Sequence, residues 1–399
     1  IVVPEIVLAS SLLLFFAASS VPARCQEGGE WDQARSRLMA SQRGTMNQAI
    51  ERWKLLSTTD GYSFSEYAGF LMSYPGFPDE AKIRGYAERA LTRETVDYPR
   101  LIAFFDRIKP VTNPARALYA LALSSSGRPE AKAVAVEAWR GGPMSDTSAA
   151  TLFSLYGKDF TPADHDARMN ALLWAGETVQ AQQTLNFVSA SARNTFMARL
   201  ALVQGNSPDS VGIPVTPDLL RDSGYVYNRI RQLKQSGNYP GVTQLLLTRP
   251  QASTPPLDPG KWIAELLASA RSADAGSAVR IASSIDDAFA PGTDVSKLGF
   301  KLRDDYTSLM WLGGTRAFSS LGDGNRAAPL FYRYGAAART PQTRSKGFYW
   351  AGRALTLRGD ASGAARYFEM AAAYPDQFYG MLSLERLGRS LPSFRNAPT

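Results

Sequence analysis

The residues able to do chemistry in this chain are few. Among 399 residues there is one Cys and one His. One Cys makes no internal disulfide framework, and a zinc site built from N and S ligands needs about three or four of them. A Cys-His nucleophilic pair would have to use Cys25 with His165, and a Ser-His-Asp triad could use only His165. No cofactor motif is present, and the Gly-Asp pairs lie outside any Gly-rich Walker pattern. What remains is carboxylate, Tyr or Lys chemistry. The adjacent acids at Ser284–Asp287 and Arg303–Asp305 do not make a dyad, because neighbours on a helix point about 100° apart. They read as solvated charges at helix ends. His165 follows Asp164 near a helix start and reads as a surface or capping residue.

Lys plus Arg number 44 and Asp plus Glu 36, a net charge of +8, and Arg dominates at 34 against 10 Lys. The basic residues are scattered without a dense block, so nucleic acid is not the expected partner. The apolar share of 45% and charged share of 20% are those of a folded globular chain.

These residues must be positioned by helices. After residue 30 the chain is rich in Ala, Leu and Arg, all good helix formers, and apolar residues recur at three and four rather than two. Asn113-Pro114, Thr161-Pro162 and Thr340-Pro341 each place a capping residue before a Pro in the first turn, and Asp164 completes a capping-box pattern with Thr161. Gly127, Gly176, Gly237, Gly322 and Gly359 each end an apolar-periodic run, where a left-handed cap is expected. No series of alternating strands is visible. The expected fold is all-α, some eighteen to twenty short helices.

The stops carry a degenerate repeat. Gly176-Glu177 leads to Ala181 and Leu185, Gly322-Asp323 to Ala328 and Phe331, and Gly359-Asp360 to Ala365 and Phe368. The last two align without a gap at an offset of 37 residues, against 49, 61 and 85 elsewhere. Helix-turn-helix units of roughly 34–40 residues build tetratricopeptide-like solenoids, and stacking buries the face each pair cannot bury alone. The pattern predicts a right-handed α-superhelix. Breaks fall at Arg249–Gly260, with four prolines in twelve residues, at Pro291–Asp294, and in the tail from Ser390.

At the N-terminus, Ile6–Val21 is 16 residues without a charge. That is short for a spanning helix, which needs about 20, and fits the apolar region of a signal peptide ending in Val21-Pro22-Ala23. The expectation is an exported chain, cleaved after Ala23, periplasmic, with no stable membrane anchor. Arg24 stands where a lipoprotein box would need a small residue before Cys25.

The segment from Lys346 to Gly388 is the most specific. Tyr349, Trp350, Gly352, Arg353 and Ala354 are followed by Gly359-Asp360, then by Tyr367, Phe368, Ala371 and Ala372, and last by Phe378, Tyr379, Gly380, Leu382, Leu387 and Gly388. This order resembles the segment of soluble lytic murein transglycosylases that precedes their catalytic domain. Met381 departs from it, standing where the family usually carries Gln. Asp305–Leu312 and Thr161–Gly176 resemble the alphaproteobacterial branch. The resemblance implies a U-shaped superhelix over 24–295, a helical linker domain over 296–391, residues 392–399 leading toward a goose-lysozyme-like catalytic domain, and a signal peptide over 1–23. It implies peptidoglycan glycan strands as substrate, and non-hydrolytic cleavage of the MurNAc-β-1,4-GlcNAc bond to a 1,6-anhydro product by one catalytic Glu, without metal or cofactor. That is one carboxylate fewer than the usual glycosidase pair.

The family places its Glu in a Glu-Ser dipeptide before a Gly-Leu-Met-Gln signature, and these 399 residues contain neither. The expected role is therefore non-catalytic: scaffolding the enzyme's own catalytic domain and guiding glycan. Tyr349, Trp350, Arg353, Phe378, Tyr379 and Gly380 are the candidates for seating that domain or contacting glycan, set against plain packing of the aromatics and an Arg353 that caps a helix or pairs with a carboxylate. The other function class is a stand-alone periplasmic solenoid that binds proteins.

Overall fold

In a computed structural model, residues 24–40 and 44–392 are described, with side chains from Gly29 onward. The signal segment, the Cys25 side chain and the last seven residues lie outside them. The described residues are all-α, without a strand. None of their helices is long and apolar enough to cross a membrane, and they hold no group of three or more His, Cys, Asp or Glu placed for a metal ion. The chain divides into two compact units, one through Ala135 and one from Val136.

The first unit contains α1 (Arg24–Ala40), α2 (Met46–Thr58), α3 (Phe64–Ser73), α4 (Glu80–Ala90), α5 (Tyr98–Phe105) and α6 (Asn113–Ser125); the division falls within α7 (Ala131–Arg140). Its core is aromatic. Phe64 meets Phe104 edge-on at 5.2 Å, and Phe105 lies 5.5 Å from Tyr119. Thr112, not Asn113, caps α6, accepting from the Ala115 N–H at 3.4 Å. The sequence expectation was one residue late because Thr112 has the extended backbone that an N-cap needs. Buried Glu88 accepts from the N–H groups of Val111 and Thr112 at 2.7 and 2.6 Å. A carboxylate at the positive end of α6 is electrostatically favoured.

The second unit begins with α8 (Asp146–Tyr156), α9 (Pro162–Ala175), α10 (Thr178–Thr184), α11 (Ala190–Val203), α12 (Ser223–Gln235) and α13 (Tyr239–Thr248). It continues with α14 (Pro259–Ser272), α15 (Ala275–Ser283), α16 (Phe300–Thr315), α17 (Gly324–Ala337), α18 (Pro341–Leu357), α19 (Ala361–Ala372) and α20 (Phe378–Arg386). Helices adjacent in sequence pack on each other from α14 to α20. The main core runs from Trp174 to Ala354 and includes Trp262, Leu309 and Phe331, with a smaller cluster of Phe348, Tyr349 and Phe368 beside it. Each such side chain contributes about 1.5–3 kcal/mol on burial.

The Gly-Asp stops work as a joint. Gly322 and Gly359 have φ of 62° and 77°, a left-handed conformation that costs a residue with a Cβ. The next residue starts the following helix: Asp323 accepts from the Arg326 N–H at 3.1 Å, and Asp360 from the Gly363 N–H at 2.8 Å. The capping box at Thr161 and Asp164 and the cap at Thr340 form as expected. In the repeat, Ala328 and Phe331 are buried, as is Phe368, while Ala365 is half-buried. The proline-rich stretch after α13 is pinned rather than loose. The Asp287 carboxylate accepts from the Ala252 N–H at 3.1 Å, and the Ser253 N–H donates to the Arg221 carbonyl at 3.0 Å.

Candidate functional site

α18 aligns Lys346, Trp350 and Arg353 at spacings of four and three, which places them on one helix face. Tyr349 is buried beside them, and Trp350 and Arg353 are half-buried. The Tyr349 ring lies 5.4 Å from Tyr379 and 5.8 Å from Phe368. Phe378, the first residue of α20, meets Tyr379 edge-on at 5.2 Å and is 63% exposed. Gly380 is buried against the Tyr374 carbonyl so closely that a Cβ there would collide with it. The structure thus brings the six candidates into one neighbourhood. Tyr349 links the α18 residues to α20, and Gly380 lets α20 seat against the end of α19.

The plain alternative for Arg353, capping a helix or pairing with a carboxylate, is not what the structure shows. Among the described residues no carboxylate lies within ion-pair distance. Its Nη1 donates to the Tyr349 hydroxyl at 3.2 Å, and its guanidinium carbon sits 5.8 Å from the Trp350 ring centroid. The guanidinium lies beside the Tyr349 and Trp350 rings instead.

Sequence reasoning missed part of this surface. Lys346 Nζ lies 3.7 Å from the centre of Trp311 and 5.7 Å from that of Tyr334, and burial pushes its pKa below the usual lysine value. Phe318 meets Trp350 edge-on at 5.6 Å, and Trp311 does so at 6.4 Å. The signal for Lys346 was its spacing from Trp350. Trp311 and Phe318 come from α16 and its π-helical extension Arg316–Ser320, which only the fold brings near. The buried Trp350 Nε1–H has no acceptor among the described residues. The result is two cations on an aromatic bed, without carboxylate partners among the described residues, one end of it opening at Phe378. Such a surface can stack on a ring and donate hydrogen bonds. It offers no group placed as a general acid.

Two other sequence readings are corrected. His165 is buried, not at the surface. Its ring stacks on Phe187 at 5.1 Å, and its Nδ1 accepts from Trp139 Nε1–H at 3.2 Å. Burial lowers its pKa below the ordinary value of 6.5, so the neutral tautomer with the proton on Nε2 is favoured. Asp287 and Asp305 are likewise buried rather than solvated, paired with Arg249 and with Lys301, the latter at 2.6 Å. Their neighbours Asp286 and Asp304 are exposed. In each pair one acid faces inward, as expected for adjacent positions, so the two do not act together.

No protein-family model matches the chain, and no curated protein matches it. Among solved structures it is similar to the 70 kDa soluble lytic transglycosylase of Escherichia coli, with 18% identity over 94% of this chain and a TM-score of 0.38. It is similar also to the complex of the 70 kDa soluble lytic transglycosylase with bulgecin A, with 17% identity and a TM-score of 0.38. The chain spans 59% of the length of those structures.

Proposed function

We propose that this chain supplies the non-catalytic α-helical scaffold of a periplasmic peptidoglycan lytic transglycosylase. In this reading residues 1–23 export it, residues 24–295 form the superhelical part and residues 296–391 the linker part. The linker part seats a catalytic domain and guides glycan strands toward it; the chemistry, cleavage of the MurNAc-β-1,4-GlcNAc bond, belongs to that domain. The observation that supports the reading is the ordered motif from Tyr349 to Gly380. Its polar and aromatic members share one surface, with Lys346 and Arg353 lacking carboxylate partners and Phe378 turned to solvent.

The test is retention of the chain on purified peptidoglycan sacculi. Retention is expected at low salt and should weaken as salt rises, because exposed charge is screened. Phe378→Ala and Arg353→Ala should each reduce it several-fold. Phe378 is 63% exposed, so its loss should leave the thermal unfolding midpoint unchanged. No retention at low salt, or retention indifferent to both substitutions, would sink glycan contact at this surface.

A further inference from the structure

A second cavity lies in the other half of the second unit, far along the chain from α18. It has a volume of about 320 Å³ and is lined by α8, α9, α10 and the end of α7. That falls at the small end of ligand pockets, which span roughly 300–1,000 Å³.

Its walls are aromatic. The Trp139 and Phe153 rings are 5.5 Å apart, and Phe153 lies 5.2 Å from Phe187, which is 45% exposed. Its floor holds Arg168, which is 2% exposed. The guanidinium lies 4.1 Å from the centre of Trp139 and donates to the Gly142 carbonyl at 2.8 Å and to Gln180 Oε1 at 3.0 Å. Its Nε–H has no acceptor among the described residues.

Arg168 also has no carboxylate within ion-pair distance among the described residues. The other two deeply buried arginines differ: Arg249 pairs with Asp287, and Arg199 has Asp222 at 3.9 Å. A buried guanidinium without an anion is costly, and burial brings the Arg168 pKa down to about 10. The nearest compensation comes through an amide. Gln180 turns its oxygen to Arg168 and its Nε2–H to Asp146 Oδ1 at 2.9 Å. Asp146 is exposed and lines the cavity. The cavity therefore presents a cation at its floor, a carboxylate at its rim and an aromatic wall, and the buried Gln180 amide behind the lining links the two charged groups.

We infer that this cavity binds a small zwitterion with an apolar side chain, of the α-amino-acid class. The carboxylate answers Arg168, the ammonium answers Asp146, and the side chain lies against Phe153 and Phe187. A simple monocarboxylate is disfavoured, because it would pass Asp146 with like charge. A simple amine would leave Arg168 without its anion. The inference does not rest on the transglycosylase reading and survives its failure.

The test is calorimetric titration of the full chain with D- and L-phenylalanine and D- and L-leucine, beside N-acetylphenylalanine and phenylalaninamide. The free amino acids should bind, and each capped analogue should bind at least about tenfold more weakly, since each leaves one charged protein group unanswered. Phe187→Ala should weaken binding several-fold, and Phe187→Leu, which keeps an apolar side chain against His165, should restore part of it. Asp146→Asn keeps the oxygen that accepts from Gln180 but removes the charge, and should abolish the preference for phenylalanine over N-acetylphenylalanine. The inference is overturned by no binding of any free amino acid at millimolar concentration. Capped analogues binding as well as free ones, or a preference that persists in Asp146→Asn, would overturn it equally.

Discussion

Asp287→Ala should be the most damaging single polar substitution outside the aromatic core. The Asp287 side chain is 4% exposed and that of its partner Arg249 is 3%. Asp287 Oδ1 accepts from Arg249 Nη2 at 3.2 Å, and Oδ2 accepts both from Arg249 Nη1 and from the Ala252 N–H. The guanidinium lies 5.0 Å from the centre of Trp262, a fully buried residue. Truncating the acid strands a buried cation and orphans a backbone N–H. Breaking a buried pair from one side costs about 3–5 kcal/mol. For a unit of this size that lowers the unfolding midpoint by on the order of 10 °C. Replacing both partners, as Arg249→Met with Asp287→Leu, removes the stranded charge and should restore most of the loss. Urea unfolding followed by tryptophan fluorescence and by circular dichroism measures all three variants. A cost below about 1 kcal/mol for Asp287→Ala, or a double variant no better than the single, would refute the reasoning.

Three further outcomes are expected. His165 has its pKa lowered by burial, so the unfolded chain takes up the proton first; its stabilising contribution is complete above pH 6.5 and is lost as pH falls through the folded value. The His165 imidazole resonance should titrate below pH 6.5, and His165→Phe should flatten the stability profile in that window. Gly347→Ala should destabilise by about 1–3 kcal/mol in thermal melts, because a Cβ there would meet the Gly335 Cα at 2.5 Å and the Phe331 carbonyl at 2.8 Å. Arg344→Lys should cost about 1–2 kcal/mol by denaturant unfolding, since Arg344 donates at once to the Tyr374 hydroxyl at 2.7 Å and the Ala338 carbonyl at 3.1 Å.

The parts of this fold that were legible are those decided within one turn of helix. Gly359 needs only its own φ, and Asp360 only the N–H three residues on. The same locality made Tyr349, Trp350 and Arg353 readable as one group, because α18 alone brings them together. What escaped depends on residues remote in sequence. Nothing near His165 shows that Trp139, 26 residues away, donates to its ring. Nothing near Asp287 shows Arg249, 38 residues away. His165 reads as a surface or capping residue and Asp287 as solvated because their buried partners, Trp139 and Arg249, come from other elements. Trp311 and Phe318 escaped for the same reason: the bed beneath Lys346 and Trp350 is supplied by α16. For Arg353 only the acid-pair alternative falls away, since its neighbours are aromatic rings rather than an acid.

The excess of arginine over lysine then has a structural cause. Every helix leaves four carbonyls without intrahelical partners at its end, and a fold of many short helices has many such ends. Some arginines donate to backbone carbonyls in a last turn or in the connection that follows it. Arg84 donates to the Lys109 carbonyl at 2.6 Å, beyond the end of α5, and Arg168 to that of Gly142 at 2.8 Å, beyond the end of α7. Arg280 donates to the Leu247 carbonyl in the last turn of α13 at 3.0 Å, and Arg339 to that of Ser296 at 2.7 Å. Lysine fits this task poorly. Its ammonium is a compact, strongly hydrated charge, whereas guanidinium is flat, weakly hydrated and holds five donors in a fixed fork. The flat cation also lies on a ring while it donates, as Arg168 does on Trp139 and Arg249 on Trp262. At these positions the positive charge is directed to backbone carbonyls of last turns and connections rather than to an acidic partner. Lys346 on α18 differs from these arginines: among the described residues it holds neither a carbonyl nor a carboxylate, and its ammonium lies over Trp311 instead.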